Sequence, residues 1–333
     1  MADRDEQRQN ANLQQPTQDT GLSGSYCLFQ DPWWLNLATN GDWGEVKVEN
    51  SGNIIARLPF QLKRRYGFKV LTQPHFTPYM GPWFRPTSGK ETRQWSYQYS
   101  LTSELLSRLP RCDLFCQTLW PELANWLPFY WSGFGQTTGY TYWLTNIQDV
   151  QAVWKRLTTS ARGEIRKAER TITIAPSNDV DRLCDIYERT FFQQGKPAPY
   201  NRKILLRIAE GAMRTGHGRI TQAQDKEGNV HAAILIVFDH RMAHYLVGGS
   251  DNRFRSSGAV SLLIWDAIRF AGQHSLTFDF EGSMVTNIER FFRSFNPTLV
   301  PYNRVYKTGN VFGSLMHLRN AAAALIGKPP LRI

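Results

Sequence analysis

The sequence predicts a mixed α/β protein, with both α/β and α+β character in its sheets, in which one arrangement of strands and helices occurs twice. Three observations predict it. From Thr171 onward, strands and amphipathic helices alternate in a legible order. The stretch from about Tyr26 to Thr145 gives a shortened version of that order. Finally, "RFRSSGAVSLLIWDAIRFA" sets Val260, Leu263, Ile264, Ala267, Ile268 and Ala271 at i, i+3, i+4, i+7, i+8 and i+11, one continuous apolar helical stripe.

Each element has its own signal. Residues 1–25 are polar and Gln/Asn-rich, which predicts a disordered tail, and they lack the apolar core and cleavage site of a secretory signal. In the first half, a helical piece at "PWWLNLA" precedes strands at "EVKVEN", "NIIARLPFQ" and "GFKVL". The helix "ETRQWSYQYSLTSELLSRL" then leads to the strand "CDLFCQTL", a short helix near "ELANWL" and the strand "YTYWLT". Residues 149–170 read as a basic helical linker broken near Gly163. In the second half come the strand "TITIA", a helix begun by Asp179 and, after "GKPAPY", the helix "NRKILLRIAEGAMRTG". Strands follow at "HGRITQAQD", "NVHAAILIVF" and "RMAHYLVGG", and after the striped helix come the strand "LTFDFEG", the helix "TNIERFFRSF" and the strand "LVPYNRVYK". This divides the chain into a domain over 26–148, the linker, a second domain over 171–308 and a C-terminal helix with a basic tail over 309–333.

The 333 residues, with 11 tryptophans, provide for a sizeable core. The longest apolar run, "AAILIVF", is a buried strand too short to span a bilayer, so no membrane span and a soluble protein are expected. Four cysteines make no disulfide framework, and Cys112 and Cys116 on one strand lie roughly 13 Å apart. A reducing cytoplasm follows as the expected location. The net charge of +11 favours anionic partners: phosphorylated cofactors, nucleotides, RNA or a membrane face. It equally serves solubility.

The loop before the striped helix is the first candidate site. Amides in a helix's first turn lack intrahelical partners and carry partial positive charge. "RFRSSGA" adds Arg253, Arg255, Ser256, Ser257, Gly258 and Ala259 there, an anion cradle that follows a strand ending Val247-Gly248-Gly249. The same residues also describe an ordinary helix capped by Ser256 or Ser257 with solvated arginines.

With Arg255-x-x-Gly258-Ala259 opening the long helix, the order of elements resembles the GCN5-related N-acetyltransferase (GNAT) fold. In that family this loop holds the pyrophosphate of an acyl-CoA, with a further Gly or Ala where Val260 stands here. "HYLVGGSDNRFRSSGAVSLLIWDAIRFA", "FDFEGS" and "IERFFRSF" more specifically resemble the FemAB-like branch, whose members carry two such domains and transfer aminoacyl or acyl groups to amines. "RGEIRKAER" looks like that branch's basic helix, and "NWLPFYWSGFGQTTGYTYWL" is similar to BioF2-like proteins. The resemblance covers roughly residues 26–308. It implies two tandem GNAT-like domains, the first shortened and degenerate, and an N-acyltransferase with acyl-CoA as the favoured donor. The alternatives are an aminoacyl-tRNA donor and a non-catalytic nucleotide- or RNA-binding protein. Peptidoglycan-type Fem transferases often show Phe-Lys where Phe291-Phe292 stands, a lysine implicated in the tRNA-dependent reaction. Here the nearest cations are Arg290 and Arg293.

Acyl transfer to an amine requires a held donor carbonyl, stabilisation of its oxyanion and removal of a proton. The strand at Val247–Gly249 is the expected source of the polarising N–H. Alternation in "FDFEG" places Asp279 and Glu281 on one face, about 7 Å apart, as a candidate acid/base pair. They could instead cap the next helix or pair with Arg290 and Arg293. His244 is a candidate base and Tyr245, on the opposite face, a candidate substrate contact; a core histidine is the ordinary alternative. His231, His240 and His244 lack a metal-ligand spacing, and no metal is expected. In the first domain "TQPHFTPYMGPWFRP" is expected to hold the amine-bearing acceptor, with His75, Tyr79 and Trp83 as its contacts, or to be simply a rigid aromatic loop. Lys196 and Tyr200 in "FFQQGKPAPYNR" are the remaining substrate candidates.

Overall fold

The computed structural model describes residues 24–315 except Gly89, Gln194, Lys196 and Ser283. Residues 1–23 of the expected tail and most of the expected C-terminal helix lie outside the described residues, with helical backbone beginning at 310–315, whereas Gly24 and Ser25, expected in the tail, are buried. Among the described residues no helix is long and apolar enough to cross a membrane. The chain divides into two units, one built from 24–145, 156–158 and the residues from 279 on, the other from 146–155 and 159–278.

The first unit opens with α1 (Pro32–Thr39), β1 (Gly44–Asn50), β2 (Asn53–Arg65), β3 (Phe68–Thr72) and β4 (Trp83–Phe84). It continues with α2 (Glu91–Ser107), β5 (Leu114–Thr118), α3 (Leu127–Trp131) and β6 (Gly135–Thr145). The second unit holds α4 (Val150–Arg156), α5 (Thr159–Ala168), β7 (Thr173–Ser177), α6 (Val180–Phe192), α7 (Arg202–Arg214), β8 (Gly218–Gln224), β9 (Val230–Phe238) and β10 (Met242–Ser250). A 3₁₀ segment over Asn252–Ser257 leads into α8 (Ala259–Ala271), and β11 (Thr277–Asp279) ends where the chain re-enters the first unit. There it forms α9 (Thr286–Arg293) and β12 (Thr298–Thr308).

In the first unit the strands lie in the order β1-β2-β3-β5-β12-β6, with β4 beside β2. β3 and β5 run parallel, joined through α2, and the other recorded pairings are antiparallel. Leu58, Phe60, Leu71, Leu101, Leu105, Phe115 and Phe129 pack between this sheet and α2 and α3. In the second unit the order is β11-β10-β9-β8-β7. Ala232 to Val237 of β9 are buried on both faces, which is why that stretch reads as an unbroken apolar run. The predicted stripe of α8 is buried at Leu263, Ile264, Ala267, Ile268 and Ala271, while Val260 is partly exposed.

Four details depart from the sequence reading. Gly163 lies inside α5, and the linker breaks instead at Leu157–Thr158, where Thr158 bonds Ser294 O through its N–H (3.1 Å) and hydroxyl (2.9 Å). The short helix expected at Glu122–Leu127 begins at Leu127, with Pro128 preset for a first turn. The two-residue β4 was not anticipated. The strand Thr298–Thr308, grouped above with the second half, lies between β5 and β6 of the first unit, nine of its residues in register with Gly135–Trp143. No local pattern encodes that choice of neighbour.

Candidate active site

On the second unit the candidate donor site gathers around the end of β10. β11 joins β10 at its start, where the Leu276 and Thr277 N–H groups donate to Arg241 O. It is only three residues long, so among the described residues of this unit no strand lies beside the later half of that β10 edge. The register with β9 also slips between Tyr245 and Val247, a bulge at Leu246. Bulges turn backbone groups out of the ladder and re-aim neighbouring side chains. The sequence reading placed the polarising N–H at Val247–Gly249 and missed this bulge, for which no glycine or proline gives a signal.

The two glycines meet protein. A Cβ on Gly249 would lie 2.8 Å from Ile186 O of α6, so its bareness lets that helix approach. Gly248 is covered by the Tyr245 ring, whose hydroxyl is lifted far above its usual range by burial. Val247 is buried, and His244 is sealed completely in the core, a position that denies it contact with substrate. The expectation of a cleft-facing His244 is therefore corrected: its side chain is buried.

The loop itself is tightly organised. Asp251, 2% exposed, accepts from the Arg253 N–H (3.0 Å) and its guanidinium (2.8 Å) and from Arg189 Nη1 (2.7 Å). The Arg253 hydrogen bonds, with Arg189, hold its carboxyl well below the usual range. Arg253 is thus committed to Asp251 rather than free for an anion. Phe254 stacks on His231 at 3.9 Å and 3°, and His231 Nε2 in turn contacts Asp225 at 3.0 Å. Ser257 Oγ accepts from the Ala259 N–H at 3.3 Å, and Gly258 adopts φ 74°. The backbone that comes close to Gly258 belongs to α5: a Cβ there would stand 2.9 Å from Glu164 O. Glu164 Oε2 accepts from Ser261 Oγ at 2.8 Å, and Lys167 donates to Ser256 O at 3.2 Å. The start of α8 is therefore partly occupied, while Arg255 and Ser256 stay exposed and Arg255 makes no ion pair among the described residues. Asp251→Ala is expected to cost about 1–2 kcal/mol, a charge-assisted set with exposed partners. Its depressed carboxyl contributes fully above its unfolded value and less as pH falls through the folded one, so melting curves of variant and parent should converge in acid.

On the first unit a second constellation surrounds Asp279 and Glu281. The strand alternation expected through 281 stops at Asp279; Glu281 takes a left-handed conformation (φ 56°) and Gly282 follows at φ 59°. The two carboxyls nevertheless stay together: the Glu281 N–H donates to Asp279 Oδ1 at 2.8 Å. Thr141 of β6 donates its hydroxyl to the same oxygen. Asp279 is fully buried, and Glu281 is half-buried with its Oε1 sealed. Burial, and then the Asp279 charge, push the Glu281 carboxyl well above its usual range. Tyr79 is raised likewise, by burial first and then by Asp279. Tyr302 of β12 feels both acids and sits 5.7 Å from the Tyr79 ring. Thr141 and Tyr302 were not singled out from the sequence, being about 140 and 20 residues from the pair.

The other candidates scatter. Of the first-half loop, Tyr79 reaches the acids. Trp83 is buried in β4 opposite Arg57, and His75 is exposed, 3.4 Å from Lys63 Nζ, its imidazole lowered by burial and by that lysine. The loop is stitched to β5: Gln73 accepts the Thr118 N–H and donates to Thr77 O and Pro78 O, and Met80 bridges to Leu119. Arg293 pairs with Glu289 (3.3 Å), Arg290 is exposed on the same helix, and Phe292 is a core residue against Phe280. Tyr200 is 38% exposed, and Lys196 lies outside the described residues. Among the described residues no group of three or more His, Cys, Asp or Glu could hold a metal ion.

Residues 155–293 match the family described as an acetyltransferase (GNAT) domain. No curated protein matches the chain. Among solved structures it is similar to FemX, at 12% identity over 90% of this chain and 96% of that one, with a TM-score of 0.66. It is also similar to L-PGS from Bacillus licheniformis (13% identity, 85% and 89% covered, TM-score 0.52). A conserved protein of unknown function from Bacteroides thetaiotaomicron follows at 9% identity, 83% and 91% covered, TM-score 0.52. Residues 155–293 thus match a GNAT acetyltransferase domain, and the mixed α/β fold of the chain is similar to that of FemX.

Proposed function

We propose that this protein transfers an acyl or aminoacyl group from an activated donor to an amine by direct attack, with Glu281 as the proton acceptor. The observation that carries the reading is the acid pair: one carboxyl, Glu281, is raised by burial and by the fixed acid Asp279 beside it. A carboxylate with a raised pKa is suited to taking a proton near neutral pH. The amine nitrogen attacks the donor carbonyl carbon, and its proton passes to Glu281. The C–S or C–O bond to the leaving group then breaks, and the leaving thiolate or alkoxide takes up a proton.

Acyl-CoA remains the first donor reading, with Arg255 and Ser256 facing its diphosphate. A specific observation favours the second: Glu164 lays a carboxylate against the start of α8, where a diphosphate would be repelled. An aminoacyl-tRNA donor, as the Fem-type resemblance implies, needs no diphosphate at that point. The cytoplasm is the location this chemistry suits. The test is to incubate the full chain with labelled acetyl-CoA or with charged tRNA and a panel of amines. Product from either one supports transfer, and the productive donor selects between them. Arg255→Glu should weaken the productive donor about tenfold or more, a charge reversal next to bound phosphate. Unchanged donor affinity would remove Arg255 from the site.

A further inference from the structure

A cavity between α2 and α3 belongs to neither constellation. It holds about 220 Å³ and is lined by, among others, Gln94, Trp95, Gln98, Tyr99, Glu122 and Asn125. Trp95 and Tyr99 stand four residues apart on α2 and so share one face. Trp95 leaves 47% of its surface exposed at this site. The Tyr99 ring meets Trp131 edge-on at 5.2 Å, and Trp131 is itself 62% exposed. Large aromatic faces left in water side by side point to a ligand with a flat apolar surface.

The polar groups narrow its chemistry. Asn125 Nδ2 donates to the Tyr99 hydroxyl at 2.8 Å, while its Oδ1 accepts the Leu127 N–H at 3.2 Å, so this wall is held in place. Glu122 also lines the cavity and accepts from Trp120 Nε1 through Oε2 (3.1 Å), which leaves its second oxygen outside that bond. Gln98 makes no side-chain hydrogen bond among the described residues, so its amide offers both a donor and an acceptor. No lysine, arginine or histidine is in the lining, which sets phosphates and carboxylates aside. The same absence argues against a lipid surface, which recruits cations beside its aromatic anchors.

We infer that this cavity is a binding site for a neutral saccharide, one sugar ring laid on Trp95 with its hydroxyls shared between Gln98 and Glu122. Aromatic faces take up the C–H side of such a ring, and amide and carboxylate groups suit its vicinal hydroxyls. The volume, below the range of drug-sized pockets, fits a single ring. A ligand of about a dozen heavy atoms binds with a dissociation constant on the order of 1–10 mM.

Saturation-transfer NMR on the full chain, with glucose, galactose, mannose and N-acetylglucosamine as probes, tests this. At least one should bind saturably, and Trp95→Ala and Gln98→Ala should each weaken it about tenfold, while Trp95→Phe retains most of the affinity. Both side chains reach the surface, so melting temperatures should stay at the parent value; if Trp95→Ala falls, Gln98→Ala decides alone. The inference is overturned if none of the four sugars saturates, or if both variants bind like the parent. Trp95-dependent binding to phosphatidylglycerol vesicles in the absence of sugar binding would likewise replace it.

Discussion

Replacing Glu281 by glutamine is expected to lower kcat/KM for acyl transfer by about 10²–10⁴-fold, the range spanned by a positioned general base. The fold should survive, because glutamine keeps the side chain's shape and removes a charge that burial disfavours. Stability should move the other way. The folded protein holds the Glu281 proton more tightly than the unfolded chain does, so the unfolded state is favoured increasingly as pH rises through the raised folded value. Below the ordinary carboxylate range the group contributes nothing of this kind. Glu281→Gln should therefore be more stable than the parent at neutral and alkaline pH and equal to it in acid, as read from urea midpoints across that span. The acid limb of the parent's pH–rate profile should lie above the usual carboxylate range for the same reason. A Glu281→Gln enzyme within about twofold of the parent would assign proton removal elsewhere. Glu281→Gly separates the two effects further, since glycine also relieves about 1 kcal/mol of left-handed backbone strain at φ 56° while leaving no base.

How far the sequence reaches is clear from particular residues. Asp179 was legible as a helix start, and its side chain does accept the Arg182 N–H at 2.8 Å. The stripe of α8 and the buried run of β9 were legible because their periods are set by neighbours along the chain. Asp279 and Glu281 were legible as a pair, though for a partly mistaken reason: strand alternation was expected to align them, whereas a left-handed residue does so. Thr141, Tyr302 and the neighbours of β12 were not legible, because each depends on which distant strand lies alongside, and that choice is made by the whole sheet. Gly248 and Gly249 are expected at the polarising N–H and Gly258 in the anion cradle. Glycine permits close approach without naming what approaches, and at Gly249 and Gly258 it is the backbone of α6 and α5.

The second large expectation concerns the turn that presents Glu281. Gly282→Ala is expected to destabilise the protein by about 3 kcal/mol or more, beyond the usual effect of a surface change. Two costs combine there. At φ 59° any side chain is strained, and the added Cβ would run into Tyr140 O and stand 2.8 Å from Thr141 Cα, both backbone atoms of β6 that cannot swing aside. Gly52 supplies the control: its φ is 76°, yet a Cβ there meets nothing within 4 Å, so Gly52→Ala should cost only about 1 kcal/mol. The difference between the two variants isolates the steric part. Relief of that contact must move the 281–282 turn off β6, and with it the Thr141 hydrogen bond that fixes Asp279. Activity in Gly282→Ala should consequently fall at temperatures where the protein is still folded, whereas Gly52→Ala should leave it unchanged. Equal losses in the two variants would show that the turn is held by its backbone angle alone, and that β6 does not position the acid pair.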